Sequence, residues 1–175
     1  MSTRICLVSL PAILVAACAV GPLPPAATPV SPALAPAGET LVGTVRARGV
    51  QIYECRARGD SAGPAWVFVA PEADLFDARG MPAGTHYAGP RWDAGDGSKI
   101  IGTVQASVAA PRAGSIPWVL LTTRSVGGPG RFAAVTSVQR IDTAGGTPPD
   151  TGCSTDRLGQ TLRVPYSAIY AMYSK

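Results

Sequence analysis

The sequence predicts an all-β domain, an antiparallel β-sandwich or partly closed barrel of about eight strands with little helix. Three observations point there. Glycine and proline (20 and 17 of 175 residues) make up about a fifth of the chain, against an ordinary share near 12%. Each disfavours a helix interior, by about 1 and 3 kcal/mol respectively, which argues against a helix bundle. Apolar residues recur at a period of two, and clusters of Gly, Pro and Asp punctuate them at short intervals. With 46% hydrophobic residues, the chain has the material for a core.

The first segment is an address. Arg4 is followed by an apolar run, Ile5 to Ala17, broken only by Ser9 and Pro11. As a helix this run would span about 20 Å, short of the ~30 Å hydrocarbon core, so an export signal is expected over 1–17 rather than a membrane span. Val15-Ala16-Ala17-Cys18 resembles a bacterial lipobox, which predicts cleavage before Cys18 and lipidation of its thiol. The lipid would then anchor the chain in the cell envelope, and Ala19 after the cysteine points to the outer membrane. The alternative is an ordinary signal cut at Ala17-Cys18-Ala19, giving a soluble secreted or periplasmic protein. Residues 19–38 hold six prolines and no charge, as a polyproline-like tether would. The folded domain is expected over 39–175.

Cysteine usage agrees with export. Cys6 leaves with the signal and Cys18 takes lipid, so Cys55 and Cys153 remain to form one disulfide. A reactive Cys55 paired with His86 is the rival.

The strands follow in order. Leu41–Arg48 opens the domain. Val50–Arg56 alternates, with Gln51, Tyr53 and Cys55 on one face and Val50 and Ile52 on the other. Ala65–Ala70 is apolar throughout, as a core strand would be. Pro71–Asp77 is expected to form a single helical turn, and Arg79-Gly80 turns the chain. His86–Trp92 is extended and interrupted by Gly89-Pro90. Asp93 to Gly97 signals a hairpin, and Lys99–Val108 then places Ile100, Val104, Ala106 and Val108 on one face. Ile116–Val126 and Arg131–Thr143 flank Gly127-Gly128-Pro129-Gly130. Gln160–Pro165 and Tyr166–Tyr173 make a closing pair.

Six blocks in series resemble a known family. They are Gln51-Ile52-Tyr53-Glu54-Cys55, Pro71-Glu72-Ala73-x-Leu75, His86-Tyr87-Ala88-Gly89-Pro90-x-Trp92, Asp96-Gly97-Ser98, Ile116-Pro117-Trp118-x-Leu120-Leu121 and Val135-Thr136-x-Val138-Gln139-Arg140. Together they resemble an exported domain-of-unknown-function family of bacteria and filamentous fungi, over residues 39–175. The resemblance implies no established activity and lends no catalytic residues. Some fungal members carry a malate dehydrogenase label, which puts Gly128-Pro129-Gly130-Arg131-Phe132-Ala133 to the test as a G-x-G-x-x-A dinucleotide turn. That turn needs a helix N-terminus in a βαβ unit. Here the following residues are rich in β-branched side chains, and Pro129 removes a donor from the cradle. A hairpin turn is expected, and no cofactor.

Few residues remain for chemistry. His86 is the only histidine. With both domain cysteines in a bridge, the usual nitrogen and sulfur ligands of zinc are missing, and no G-x-S-x-G elbow accompanies a Ser-His-Asp triad. Asp93, Asp96 and Ser98 have a faint calcium-loop spacing but lack a third Asp and the closing Glu, so a solvated turn is the better reading. Among the aromatics, Trp66 and Trp118 sit in apolar runs and are expected in the core. Trp92 lies among Arg91, Asp93 and glycine, so it is either core or part of a ring-stacking surface with Tyr87. The candidate ligand-binding residues are therefore His86, Tyr87, Trp92, Asp93 and Asp96, for a carbohydrate or another envelope ligand. No catalytic or metal-ligating set is assigned.

Removal of Arg4 takes the formal charge from +4 to +3, and the basic residues form no run longer than Arg46-Ala47-Arg48. This argues against nucleic-acid binding. The expected function is an envelope-anchored lipoprotein with a binding or structural role, its membrane partner reached through Cys18. The alternative is an extracytoplasmic enzyme or a metal or small-ligand site centred on His86 with Asp93 and Asp96. Nothing in the sequence bears on oligomeric state.

Overall fold

A computed structural model describes residues 29–59 and 63–175. The expected signal, Cys18 and the first part of the tether lie outside the described residues. Eight antiparallel strands run in the order β1 (Thr40–Arg56), β2 (Ala65–Phe76), β3 (Pro82–Tyr87), β4 (Arg91–Ala94), β5 (Lys99–Val108), β6 (Trp118–Ser125), β7 (Ser137–Gly145) and β8 (Thr161–Ser174). Each pairs with its neighbours in sequence, and β8 pairs back onto β1. Of the two architectures the pattern allowed, the barrel is the one formed, and its closure is complete.

The even spacing of turns explains the up-and-down path, since each short connection returns the chain beside the strand just made. The alternation expected in β1 holds. Gln51, Tyr53 and Cys55 are buried inside the barrel, and Val50 and Ile52 lie half-buried on its wall. Cys55 and Cys153 form a disulfide across 98 positions of sequence. The β4–β5 hairpin turns at Asp96-Gly97, where Gly97 takes φ +88°, a value that disfavours any residue with a side chain.

Three boundaries differ from expectation, each for a local reason. Leu41–Arg48 and Val50–Arg56 are a single strand, because Gly49 is a point of close approach rather than a break. A Cβ there would lie 2.0 Å from the Glu72 carbonyl oxygen and 2.6 Å from the Ala73 Cβ. Pro71–Asp77 is not a helical turn but the second half of β2. Pro71 pairs with Gln51 of β1 and lies beyond the end of β3, so its missing N–H interrupts no ladder on that side. Pro165 repeats the arrangement in β8, one residue beyond the last β7 pair, and so joins the two expected closing strands into one.

The other corrections concern β3, β7 and the tryptophans. β3 begins at Pro82, earlier than expected, and Gly89-Pro90 belongs to the turn between β3 and β4. β7 begins at Ser137 rather than Arg131, because 126–136 form a folded loop whose Phe132 is fully buried. No helix follows Gly130, so the dinucleotide geometry is absent from this loop. Trp118 is buried as expected. Trp66 is only half-buried, and its indole Nε1 donates to the Thr151 carbonyl at 3.0 Å. Trp92 points inward and is 1% exposed.

The two ends of the barrel differ. At the lower end, where Thr40 meets Ser174, the 126–136 loop folds inward and Phe132 and Val135 join the core. At the upper end the walls are uneven. β3 and β4 are short, and their turn leaves a gap beside the mid-strand residues of β2 and β5. On the outer wall, a 3-10 turn at Pro32–Leu34 lies within the proline-rich stretch, with Leu34 completely buried. Its carbonyl accepts from Gln139 Nε2 of β7, so the described part of that stretch is fastened to the barrel.

Candidate functional site

The five candidate residues lie within eleven positions of sequence, yet the pleat and one turn divide them into three places. His86 and Trp92 are a cross-strand pair of β3 and β4 and point into the barrel. Tyr87 and Asp93, each one residue along, point to the outer wall. Asp96 lies in the turn at the lower end.

On the outer wall, Asp93 Oδ2 accepts from the Tyr87 hydroxyl at 2.9 Å and from Lys99 Nζ at 2.6 Å. Burial works against ionisation of Asp93, but the Lys99 and Tyr87 bonds prevail and hold its carboxyl below the ordinary aspartate range. The Arg91 guanidinium stands 5.8 Å from the Tyr87 ring centroid. These four side chains brace the β3–β4–β5 wall.

Asp96 is a latch. Its Oδ1 accepts from the Ser98 hydroxyl (2.6 Å) and amide (3.0 Å), and its Oδ2 from the Arg131 amide at 2.7 Å. The fully buried Ser98 hydroxyl in turn accepts from the Phe132 amide at 3.0 Å. These bonds, the Ser98 hydroxyl first and the Arg131 amide next, lower the Asp96 pKa to about 2. The carboxylate thus fastens the loop that stoppers the barrel. Among the described residues, no three His, Cys, Asp or Glu side chains gather closely enough to hold a metal ion.

His86 and Trp92 do meet at a cavity. It measures about 250 Å³ and opens at the upper end beside Gly89 and Pro90. Phe68, Val69 and Val104 form its rim. They are exposed (50%, 43% and 54%) because they face the opening. Val104 shares the inward face of β5 with Ile100, whereas a register shift after Val104 turns Ala106 and Val108 to the opposite face from the one expected. Val119 and Leu121 of β6 line the wall, and His86, Trp92, Tyr170 and Arg140 form the floor.

The floor is built by stacking. The His86 ring lies on Trp92 with centroids 4.5 Å apart and an interplanar angle of 20°. Tyr170 of β8 closes against both, at 4.9 Å from His86 and edge-on to Trp92 at 5.4 Å. His86 Nδ1 lies 2.9 Å from the Arg91 carbonyl. A carbonyl only accepts, so Nδ1 carries the proton and Nε2 is an acceptor, with no partner among the described residues. Burial first, and the positive charge of Arg140 second, lower the His86 pKa to about 3 against the opposing Arg91 bond. The ring is neutral at any ordinary pH. The hydroxyls of Tyr53, Tyr166 and Tyr170 are likewise kept protonated, chiefly by burial, although the Arg140 charge opposes this in each.

Arg140 was missed in the sequence. It lies two residues after Val138 on the same face of β7, between Val119 and Tyr170 on the neighbouring strands. Its Nε and Nη2 donate to the Pro117 carbonyl at 3.1 and 2.9 Å. A cation on the inward face of an alternating strand is the signal that would have found it.

Fold and site together define the class as an eight-stranded up-and-down β-barrel, closed by a loop at one end and open at the other onto an aromatic-floored cavity. Within that class the chain belongs to the family described as protein of unknown function DUF3455, whose model matches residues 36–174. No curated protein and no solved structure matches the chain.

Proposed function

We propose that this protein is a cell-envelope lipoprotein whose barrel is a binding module for a small molecule. The observation that supports this most is the cavity itself. It has an apolar exposed rim, apolar walls and a floor with a few polar atoms, the usual make-up of a small-ligand site. Its volume of about 250 Å³ exceeds the ~150 Å³ cavity that takes benzene, so one ring with a short arm fits. His86, Tyr170 and Arg140 would orient the ligand, and Trp92 would supply a flat contact surface. The residues of an enzymatic reading point to different places, which favours binding over turnover.

The test is a thermal-shift screen of ring-sized compounds, neutral and charged, on the intact chain and on Val104→Trp. The variant places an indole at the rim. Compounds that raise the midpoint of the parent chain are expected to lose that effect in Val104→Trp. A screen with no stabilising compound, or stabilisation that survives the block, would overturn the binding reading.

Anchoring rests on Val15-Ala16-Ala17-Cys18. The Cys55–Cys153 bridge is in keeping with an oxidising compartment outside the cytoplasm. Cys18→Ala is expected to move the protein from the detergent-rich to the aqueous phase in cloud-point partition of whole cells. A chain that partitions identically with and without the cysteine is not a lipoprotein.

A further inference from the structure

Resting on the cavity reading, we infer that the ligand is a compact monocarboxylate, one aromatic ring or a short acyl chain bearing a single acid group, and that Arg140 binds that acid group.

The inference stands on charge balance inside the barrel. Arg140 lines the cavity, and its charge acts on His86, Tyr53, Tyr166 and Tyr170 around it. No carboxylate lines the cavity, and Arg140 has no ion-pair partner among the described residues. Its bonded acceptors are neutral, the Pro117 carbonyl reached by Nε and Nη2 and the Tyr170 hydroxyl beside it. A partly buried cation without a counter-charge is costly and rarely kept without use.

A hydrogen-bond donor is also in surplus. Trp92 Nε1, on the cavity floor, is buried and lacks an acceptor among the described residues, whereas Gln51 lies outside the cavity lining and bonds the Tyr166 hydroxyl. A carboxylate brings two acceptor oxygens and one negative charge, which matches both deficits, and the guanidinium fork suits its geometry. His86 does not compete for the anion, because it is neutral. Its Nε2 lone pair instead suits a hydroxyl or N–H on the ligand body. The cavity volume limits that body to about one ring or a short chain. A sugar does not fit this description, since it brings many donors and no charge.

The experiment titrates the oxidised, detergent-free Cys18→Ala chain, which carries no lipid, with two matched pairs, phenylacetate against phenylacetamide and hexanoate against hexanamide. Tryptophan fluorescence and the thermal midpoint are the readouts. At least one acid is expected to bind about tenfold or more tightly than its amide. Arg140→Gln should abolish that preference, and Arg140→Lys should keep part of it. Affinity should stay level between pH 6 and 8, since neither the acid nor His86 changes charge there. Equal binding of acid and amide to the parent chain overturns the carboxylate and leaves the binding module standing. So does a preference that survives Arg140→Gln. If Arg140→Gln fails to fold, the acid-to-amide ratio of the parent chain and of Arg140→Lys decides alone. If no acid binds, the ligand class is wrong, and the Val104→Trp screen shows separately whether the cavity binds anything.

Discussion

Replacing Cys55 and Cys153 by serine is expected to cost about 4–5 kcal/mol of stability. The bridge closes 98 positions of sequence, and loops of that length lose the most chain entropy when unfolded. Cys55 is the penultimate residue of β1 and fully buried, and Cys153 lies in the connection that leads into β8. The bridge therefore ties the two closing strands together at the upper end, where the cavity opens. A domain of this size has about 5–15 kcal/mol in all, so the doubly substituted chain should be marginal. A fall in the thermal midpoint on the order of 10–20 °C is expected by calorimetry under non-reducing conditions. A fall of less than about 3 °C would show that the bridge does little to restrain the unfolded chain.

The second large effect is acid lability through His86. Its pKa in the folded barrel is about 3, below the ~6.5 of an unfolded chain. The unfolded state therefore takes up the proton first. The contribution of the neutral ring is complete above about pH 6.5 and is lost as pH falls toward 3. Over that window the loss is on the order of 5 kcal/mol. His86→Phe keeps a flat ring on Trp92 and cannot be protonated. It gives up the bond to the Arg91 carbonyl, so at pH 7 it should be less stable by about 1 kcal/mol. Its stability should change far less between pH 7 and pH 4. Urea midpoints measured across that range for both proteins would decide, and parallel curves would mean that the ring is not the acid-sensitive group. Asp93 and Asp96 act in the same direction, but only as pH falls through and below the ordinary carboxylate value of ~3.9, beneath the pH 7–4 range of the measurement.

Much of this architecture was legible before the structure, because local rules govern it. The alternation of Gln51, Tyr53 and Cys55 marked the inward face of β1. Asp96-Gly97 marked a hairpin, and the two cysteines within the β domain marked a bridge. What escaped was decided by neighbours. Gly49, Pro71 and Pro165 look like strand breakers in isolation. Each is accommodated because of where an adjacent strand lies or stops, and sequence order does not carry that information. The choice between barrel and sandwich rests on the β1–β8 pairing, the most distant contact in the chain.

The candidate site shows the same division. His86 and Trp92 were found, but their outward neighbours Tyr87 and Asp93 were grouped with them because proximity in sequence hides the pleat. Asp96 was taken for a solvated turn residue, whereas its partners Arg131 and Phe132 sit in a loop some 35 positions away. Arg140 was overlooked because an arginine in a strand is usually assigned to the solvent face.

The pairing of the first strand with the last also shapes how the molecule is made. Thr40 joins Ser174 and Glu54 joins Thr161 in the longest ladder of the barrel, so no stable ring exists until the final residues have been delivered. Until then, β1 and β7 present open edges to other polypeptides. Folding with so many distant contacts is slow, in the range of milliseconds to seconds. Exposure to misassembly is therefore concentrated in the interval before the ends have met.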